Sequence, residues 1–225
     1  MPVNITGKLQ SGEINIDVSD SSQLLSGLLI TLPFLSGDSI IHAKDLVSSP
    51  YVEMTIGILK DFGVDIRNES FKRFHIKGNQ KIKLSKYIVE GDWSGAAFHL
   101  VGAAISGEVK IHGLNQNSLQ ADKAILEALV LCGAKVIIHE DFIQVKRLEL
   151  NSFSFDATDC PDLFPVLASL ASCCDGVSVI NGISRLINKE SNRAKSIKLE
   201  FAKIGVKVVL DRNHMYIHGS KMIKG

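Results

Sequence analysis

The chain is short of net charge, aromatic residues and long apolar runs, and each shortage removes a class of function. Twenty-five basic side chains meet 24 acidic ones, leaving a formal net charge of +1. No basic surplus exists to hold nucleic acid or an anionic membrane, so neither is expected as a partner. The longest apolar stretch, Leu24 to Leu35, is interrupted by Ser, Gly, Thr and Pro and is too short to span a bilayer. The first residues lack a basic region followed by an apolar one, so no signal peptide is expected. The four cysteines, Cys132, Cys160, Cys173 and Cys174, form no C-x-x-C pair, which predicts reduced thiols and a cytoplasmic protein. The seven histidines have no metal spacing, and no metal or cofactor is expected. Neither G-x-G-x-x-G nor G-x-x-x-x-G-K-[ST] occurs, which argues against a dinucleotide fold or a P-loop. What the chain does have is 45% hydrophobic residues over 225 positions, enough for a substantial core in one or two domains.

Its strongest internal signal is repetition. Phe62-Gly63-Val64-Asp65-Ile66, Cys132-Gly133-Ala134-Lys135-Val136 and Ile204-Gly205-Val206-Lys207-Val208 each read as a helix stopping at Gly and running into a strand. The glycines are 70 and 72 residues apart. A second series, Gly37, Gly107 and Gly176, precedes the alternating strands Ser39–His42, Glu108–His112 and Val177–Ile180. A third, Asp20, Asp92 and Asp159, stands at expected helix caps. One unit of about seventy residues therefore occurs three times. Each copy reads strand, capped helix, strand, second helix, Gly stop and a closing hairpin. Leu24, Leu25, Leu28, Leu29 and Ile30, and likewise Leu163, Phe164, Val166, Leu167 and Leu170, predict buried helices surrounded by sheets. The expected class is α/β (α+β), built from repeated βαβ-type units.

A repeat supplies its own control. Positions the fold needs should be filled in all copies, whereas site residues need not be. At the first helix start, repeat one has Ser21-Ser22-Gln23, repeat two Trp93-Ser94-Gly95 and repeat three Cys160-Pro161-Asp162. At the second, repeat one has Ser48-Ser49-Pro50-Tyr51, repeat two the neutral run Asn115–Gln120 and repeat three Arg185–Arg193. The serines are candidate donors to a phosphate at a helix N-terminus, or ordinary caps. Asp162 is a candidate base, or a charge that suits the helix dipole. Trp93 is expected in the core. The run Arg185–Arg193 reads as a helix start capped by Asn188, with Lys189 and Arg193 on one face and Glu190 beside them. Two cations at the positive end of a helix fit an anion held between them. A solvated turn in which Glu190 pairs Arg193 is the competing reading.

Together, Ser21-Ser22-Gln23, Ser48-Ser49-Pro50-Tyr51, Glu90-Gly91-Asp92-Trp93-Ser94, Pro161-Asp162 and Lys189-Glu190-Ser191-Asn192-Arg193 resemble the 5-enolpyruvylshikimate-3-phosphate synthases. The order holds along essentially the whole chain. The resemblance implies an enolpyruvyl-transferase-like fold of the inside-out α/β barrel type. It also implies transfer of the enolpyruvyl group of phosphoenolpyruvate to the 5-hydroxyl of shikimate 3-phosphate. Carried over, Ser21, Ser22 and Ser48 would hold the shikimate phosphate and Gln23 the ring, with Tyr51 among the substrate contacts. Asp162 would accept a proton, and Lys189 would touch the shikimate phosphate and the reaction centre. Glu190 would protonate the enolpyruvyl carbon, and Arg193 would bind phosphoenolpyruvate.

Two local departures stand out. Asn192 replaces a usual Asp, and Val18-Ser19-Asp20 replaces a Gly-containing approach. Arg185 stands where some members carry a polar substrate contact and is not assigned a role. The larger departure is length, since the family enzyme has two lobes of three units each. Its N-terminal Lys and Arg motifs and its Asp-His-Arg segment are not found here. Residues 1–84 are thus expected to be the last repeat of an N-terminal lobe, and 85–225 two repeats (85–150 and 151–225) of a C-terminal lobe. Such a piece is expected to be a monomer and inactive alone. The other readings are a UDP-N-acetylglucosamine enolpyruvyl transferase and a non-catalytic, repeat-built binding domain.

Overall fold

Alternating apolar residues set the strands, and strand direction then sets where the helices that follow them begin. The computed structural model describes residues 3–4, 6–83, 86–187 and 191–220. Repeat one contains β1 (Glu13–Asp17), α1 (Gln23–Thr31), β2 (Ser39–Lys44), α2 (Ser49–Asp61), β3 (Ile66–Glu69) and β4 (Arg73–Ile76). Its sheet has the order β1-β2-β4-β3. β1 is parallel to β2, and β4 is antiparallel to both β2 and β3. Hence β1, β2 and β3 point the same way, and α1 and α2 both start at the C-terminal ends of strands.

Repeat two contains α3 (Trp93–Ser106), β5 (Glu108–His112), α4 (Ile125–Leu131), β6 (Lys135–Ile138) and β7 (Phe142–Lys146), with the sheet order β5-β7-β6. Repeat three contains β8 (Ser154–Asp156), α5 (Phe164–Ser172), β9 (Val177–Asn181), α6 (Arg193–Lys203), β10 (Lys207–Asp211) and β11 (His214–His218). Its order, β8-β9-β11-β10, with β8 parallel to β9, matches repeat one. The described chain divides into two compact units, Met1–Ile88 and Val89–Gly225, each with its own apolar core cluster.

The glycine stops behave as expected: Gly63, Gly133 and Gly205 have φ of +80°, +89° and +79°, where only Gly is unstrained. Three expectations change. Repeat two lacks the leading strand among its described residues. One bond, Gly91 N to Gly113 O at 2.9 Å, stands where Val18 N to Lys44 O and Ala157 N to Asn181 O, both 3.0 Å, end the parallel pairs elsewhere. Ile88 and Val89, which such a strand would use, are 84% and 82% exposed, so no burial offsets the cost of ordering them.

The capping series holds at one position of three. Asp92 caps α3 by accepting from the Ser94 and Gly95 amides, at 3.1 and 2.9 Å. In repeats one and three the cap positions fall later, at Ser22 and Cys160. There the earlier acids Asp17 and Asp156 turn the chain instead, accepting from Ser19 N and Thr158 N.

Burial of the helices is also uneven. In α5, Phe164, Val166, Leu167 and Leu170 are inaccessible, and the helix packs on α3. In α1, Leu25 and Leu29 are buried but Leu24 and Ile30 are exposed. Within the first compact unit α1 has only one packed face.

Candidate active site

In repeat one the parallel strands put Ser21, Ser22 and Gln23 at the start of α1 and Ser48 and Tyr51 at the start of α2. The helices are tied by a bond from Thr55 Oγ1 to Ser26 Oγ at 3.3 Å. Ser22 and Ser48 occupy the N-cap positions, yet neither caps its own helix through its side chain. Ser21 Oγ accepts from Gln23 N at 3.2 Å. Ser22 and Ser48 are buried and Tyr51 is half-buried, whereas Ser21 and Gln23 are exposed. Ser48 has φ +55° and ψ +47°, a left-handed conformation that costs a non-Gly residue free energy. Pro50 follows in the first turn and presets the helix. Hydroxyls and backbone amides at adjacent helix starts are groups able to donate to an anion.

Repeat three uses the same end of its sheet. Asp162 lies in the short 3-10 turn Pro161–Leu163 that leads into α5, and Arg193 is the first residue of α6. The two side chains, 31 residues apart, meet with Arg193 Nη1 2.6 Å from Asp162 Oδ1. An acid and a cation are thereby presented together. Arg185 is half-buried in the 3-10 turn Ile183–Leu186, which contacts both α6 and the Pro161–Leu163 turn.

The helix start is corrected. α6 begins at Arg193 and its cap is Asn192, whose Oδ1 accepts from Lys195 N at 3.1 Å. Asn and Asp both serve as caps, so the departure at Asn192 keeps the helix start. The shared helical face expected for Lys189 and Arg193 involves a residue outside those described. Asn188, Lys189 and Glu190 themselves lie outside the described residues, and the roles expected for Lys189 and Glu190 go with them.

In repeat two the comparable helix starts are occupied by the protein's own groups. Glu90 Oε1 accepts from Ser118 Oγ at 2.6 Å and Gln120 Nε2 at 2.9 Å. Gln120 Oε1 accepts from Trp93 N at 2.8 Å, and Trp93 Nε1 donates to Asn115 O at 3.2 Å. Ser94 Oγ donates to the buried carboxylate of Asp122. Burial pushes the Glu90 carboxyl up, but hydrogen bonds from Ser118, Gln120 and Asn115 and the charge of Lys123 outweigh it and hold it low. The neutral run Asn115–Gln120 concealed this arrangement. Its signal was the set of acids flanking the run, at Glu90, Asp92 and Asp122.

The fold is of the enolpyruvyl-transferase type. Solved structures of that class superimpose on it. An EPSP synthase from Acinetobacter baumannii gives a TM-score of 0.75 at 24% identity, covering 95% of this chain and 50% of that one. The enolpyruvyl transferase NikO from Streptomyces tendae gives 0.65 at 17%, covering 92% and 51%. At those identities the likeness is one of fold alone. Sequence carries it further, because the family model of EPSP synthase (3-phosphoshikimate 1-carboxyvinyltransferase) matches residues 1–225, and the chain belongs to that family. A 3-phosphoshikimate 1-carboxyvinyltransferase of Clostridium acetobutylicum is 42% identical over all of this chain and 52% of its own length. One of Clostridium novyi is 40% identical with the same coverage. The chain thus spans about half the length of the curated relatives it matches.

Proposed function

We propose that this chain is part of an enzyme that transfers the enolpyruvyl group of phosphoenolpyruvate to the 5-hydroxyl of shikimate 3-phosphate, releasing phosphate. The observation that carries the reading is the Asp162–Arg193 pair, which brings a proton acceptor and an anion-binding cation to one point. In this reading Ser21, Ser22 and Ser48 hold the shikimate phosphate, with Gln23 and Tyr51 along the ring. Asp162 takes the proton of the attacking hydroxyl and Glu190 delivers one to the enolpyruvyl carbon. Lys189 neutralises phosphate charge and Arg193 holds phosphoenolpyruvate. Addition followed by elimination needs this acid and base together with cations for two anionic substrates.

Residues 1–84 supply the last repeat of an N-terminal lobe, and 85–225 two repeats of a C-terminal lobe. The protein works as a cytoplasmic monomer, and the chain alone does not turn over. Calorimetric titration of the chain with shikimate 3-phosphate, followed by phosphoenolpyruvate, tests the reading. Heat from the first ligand that is lost in Lys189→Ala supports it. No heat from shikimate 3-phosphate, with heat from UDP-N-acetylglucosamine instead, overturns it. Turnover by the chain alone would overturn the statement that this half is inactive.

A further inference from the structure

Arg193 begins α6, which the turn Ile183–Leu186 contacts, and Asp162 follows the stretch 157–161. Beneath that turn and that stretch runs a line of side chains to which no role has been given. Asn213, in the tight turn between β10 and β11, has its side chain directed across the sheet end. Its Oδ1 accepts from Ser184 N at 2.9 Å, and its Nδ2 donates to Asn181 Oδ1 at 3.1 Å. Asn181 is the register partner of Asp156 in the parallel pair, and its amide is among the groups that hold the Asp156 carboxyl low. Asp156 Oδ1 accepts in turn from Thr158 N at 2.9 Å and Thr158 Oγ1 at 2.5 Å. The line therefore starts at Ser184, on the Arg193 side, and ends at Thr158, on the Asp162 side. Backbone packing follows the same route: a Cβ at Gly182 (φ +107°) would lie 2.9 Å from Thr158 N and Cα.

The repeat again acts as a control. The backbone bond from Gly182 N to Asn213 O, 2.9 Å, has a counterpart in repeat one, Ala43 N to Lys72 O at 2.9 Å. The fold needs that bond in both places. It does not need the amide, because Lys72 stands where Asn213 does. Asn181 likewise matches His42, since each faces the first residue of the closing strand. The two amides occur in the repeat that holds Asp162 and Arg193.

We propose that Asn213 is a positioning residue, which through Asn181 and Asp156 fixes the turn Ile183–Leu186, packed on the α6 that Arg193 begins, against the stretch leading to Asp162. The proposal rests on the functional reading of those two residues. A shift of about 1 Å between reacting groups can cost two orders of magnitude in rate, so a buttress of this kind has a catalytic consequence without touching substrate.

The test is amide hydrogen exchange on the whole chain, with the Arg193 guanidinium signals followed by NMR. In Asn213→Ala, exchange at Ser184 should accelerate through loss of its own acceptor. Exchange at Thr158, which Asn213 does not touch, should accelerate as well, by roughly ten-fold or more. The Arg193 signals, held distinct by the ion pair, should average. In Asn213→Asp the acceptor for Ser184 is kept and the donor to Asn181 is lost, so Ser184 should stay protected while Thr158 does not. Amides in β9 and β11 serve as the folding control. Unchanged exchange at Thr158, or unchanged Arg193 signals, in folded Asn213→Ala overturns the proposal. Heat from UDP-N-acetylglucosamine and none from shikimate 3-phosphate would overturn the functional reading instead, and these exchange data would not depend on it.

Discussion

The contact between Asp162 and Arg193 contributes little to stability. Their side chains are 43% and 29% exposed, and an ion pair of that kind contributes roughly 0–1 kcal/mol. Arg193→Ala should therefore cost under about 1 kcal/mol in chemical denaturation while removing phosphoenolpyruvate binding in calorimetry. The thiols make the complementary case. Burial pushes the Cys160 thiol up to about 12. Cys132 and Cys174 are fully inaccessible, and their thiols donate to the carbonyls of Leu129, at 3.2 Å, and Leu170, at 3.3 Å. Cys173 is half-buried and lines a cavity of about 690 Å³ with Arg147, Asp175 and Ser220. Native alkylation near pH 8, read by peptide mass spectrometry, should label Cys173 first, and labelling of Cys160 before Cys173 would contradict this packing.

Among elements, the helix starts of the three repeats use different chemistry on one scaffold. α3 is capped by a carboxylate, and Asp92→Ala should lower the melting temperature by an amount equal to about 1 kcal/mol. Glu90 gives the same region a pH dependence. Its folded pKa lies below its ordinary value of 4.5, so its stabilising contribution is complete above that value. The contribution fades as pH falls from there through the lower folded value. Glu90→Gln should therefore flatten the acid limb of unfolding for residues 89–220 and change little at neutral pH, apart from a constant offset. Asp156 behaves in the same direction, held low by the Thr158 hydroxyl and then its amide. Sequence made the strands and Gly stops legible because each depends on local conformation alone. It misplaced the start of α6 because Asn188 and Asn192 are equally good caps in isolation. The described helix starts at Arg193, with Asn192 as its cap.

Over the whole molecule, the two core clusters divide the stability. Leu29 belongs to one and Leu129 to the other, both fully inaccessible. Leu29→Ala and Leu129→Ala should each cost about 2–5 kcal/mol. The cost should be read in exchange of amides 13–76 for the first and 93–218 for the second. Loss of protection in the opposite set would mean the clusters are not separate. The exposed Leu24 and Ile30 of α1 belong to this scale too: apolar periodicity marked them as core, but one face of α1 is packed and the other is not.

The sequence by itself determined the repeat, the strand pattern, the three left-handed glycines and the set of residues that mark the family. These follow from periodicity, from backbone sterics and from residue types in order, and none needs a distant partner. Tertiary structure decided the rest. Strand direction gathered the helix starts at one end of each sheet. Ile88 and Val89 stayed exposed, and among the described residues repeat two has no leading strand. Contact between positions 31 or 32 apart joined Asp162 to Arg193 and Asn181 to Asn213. Such contacts depend on how loops end and how elements pack, and no local pattern encodes them.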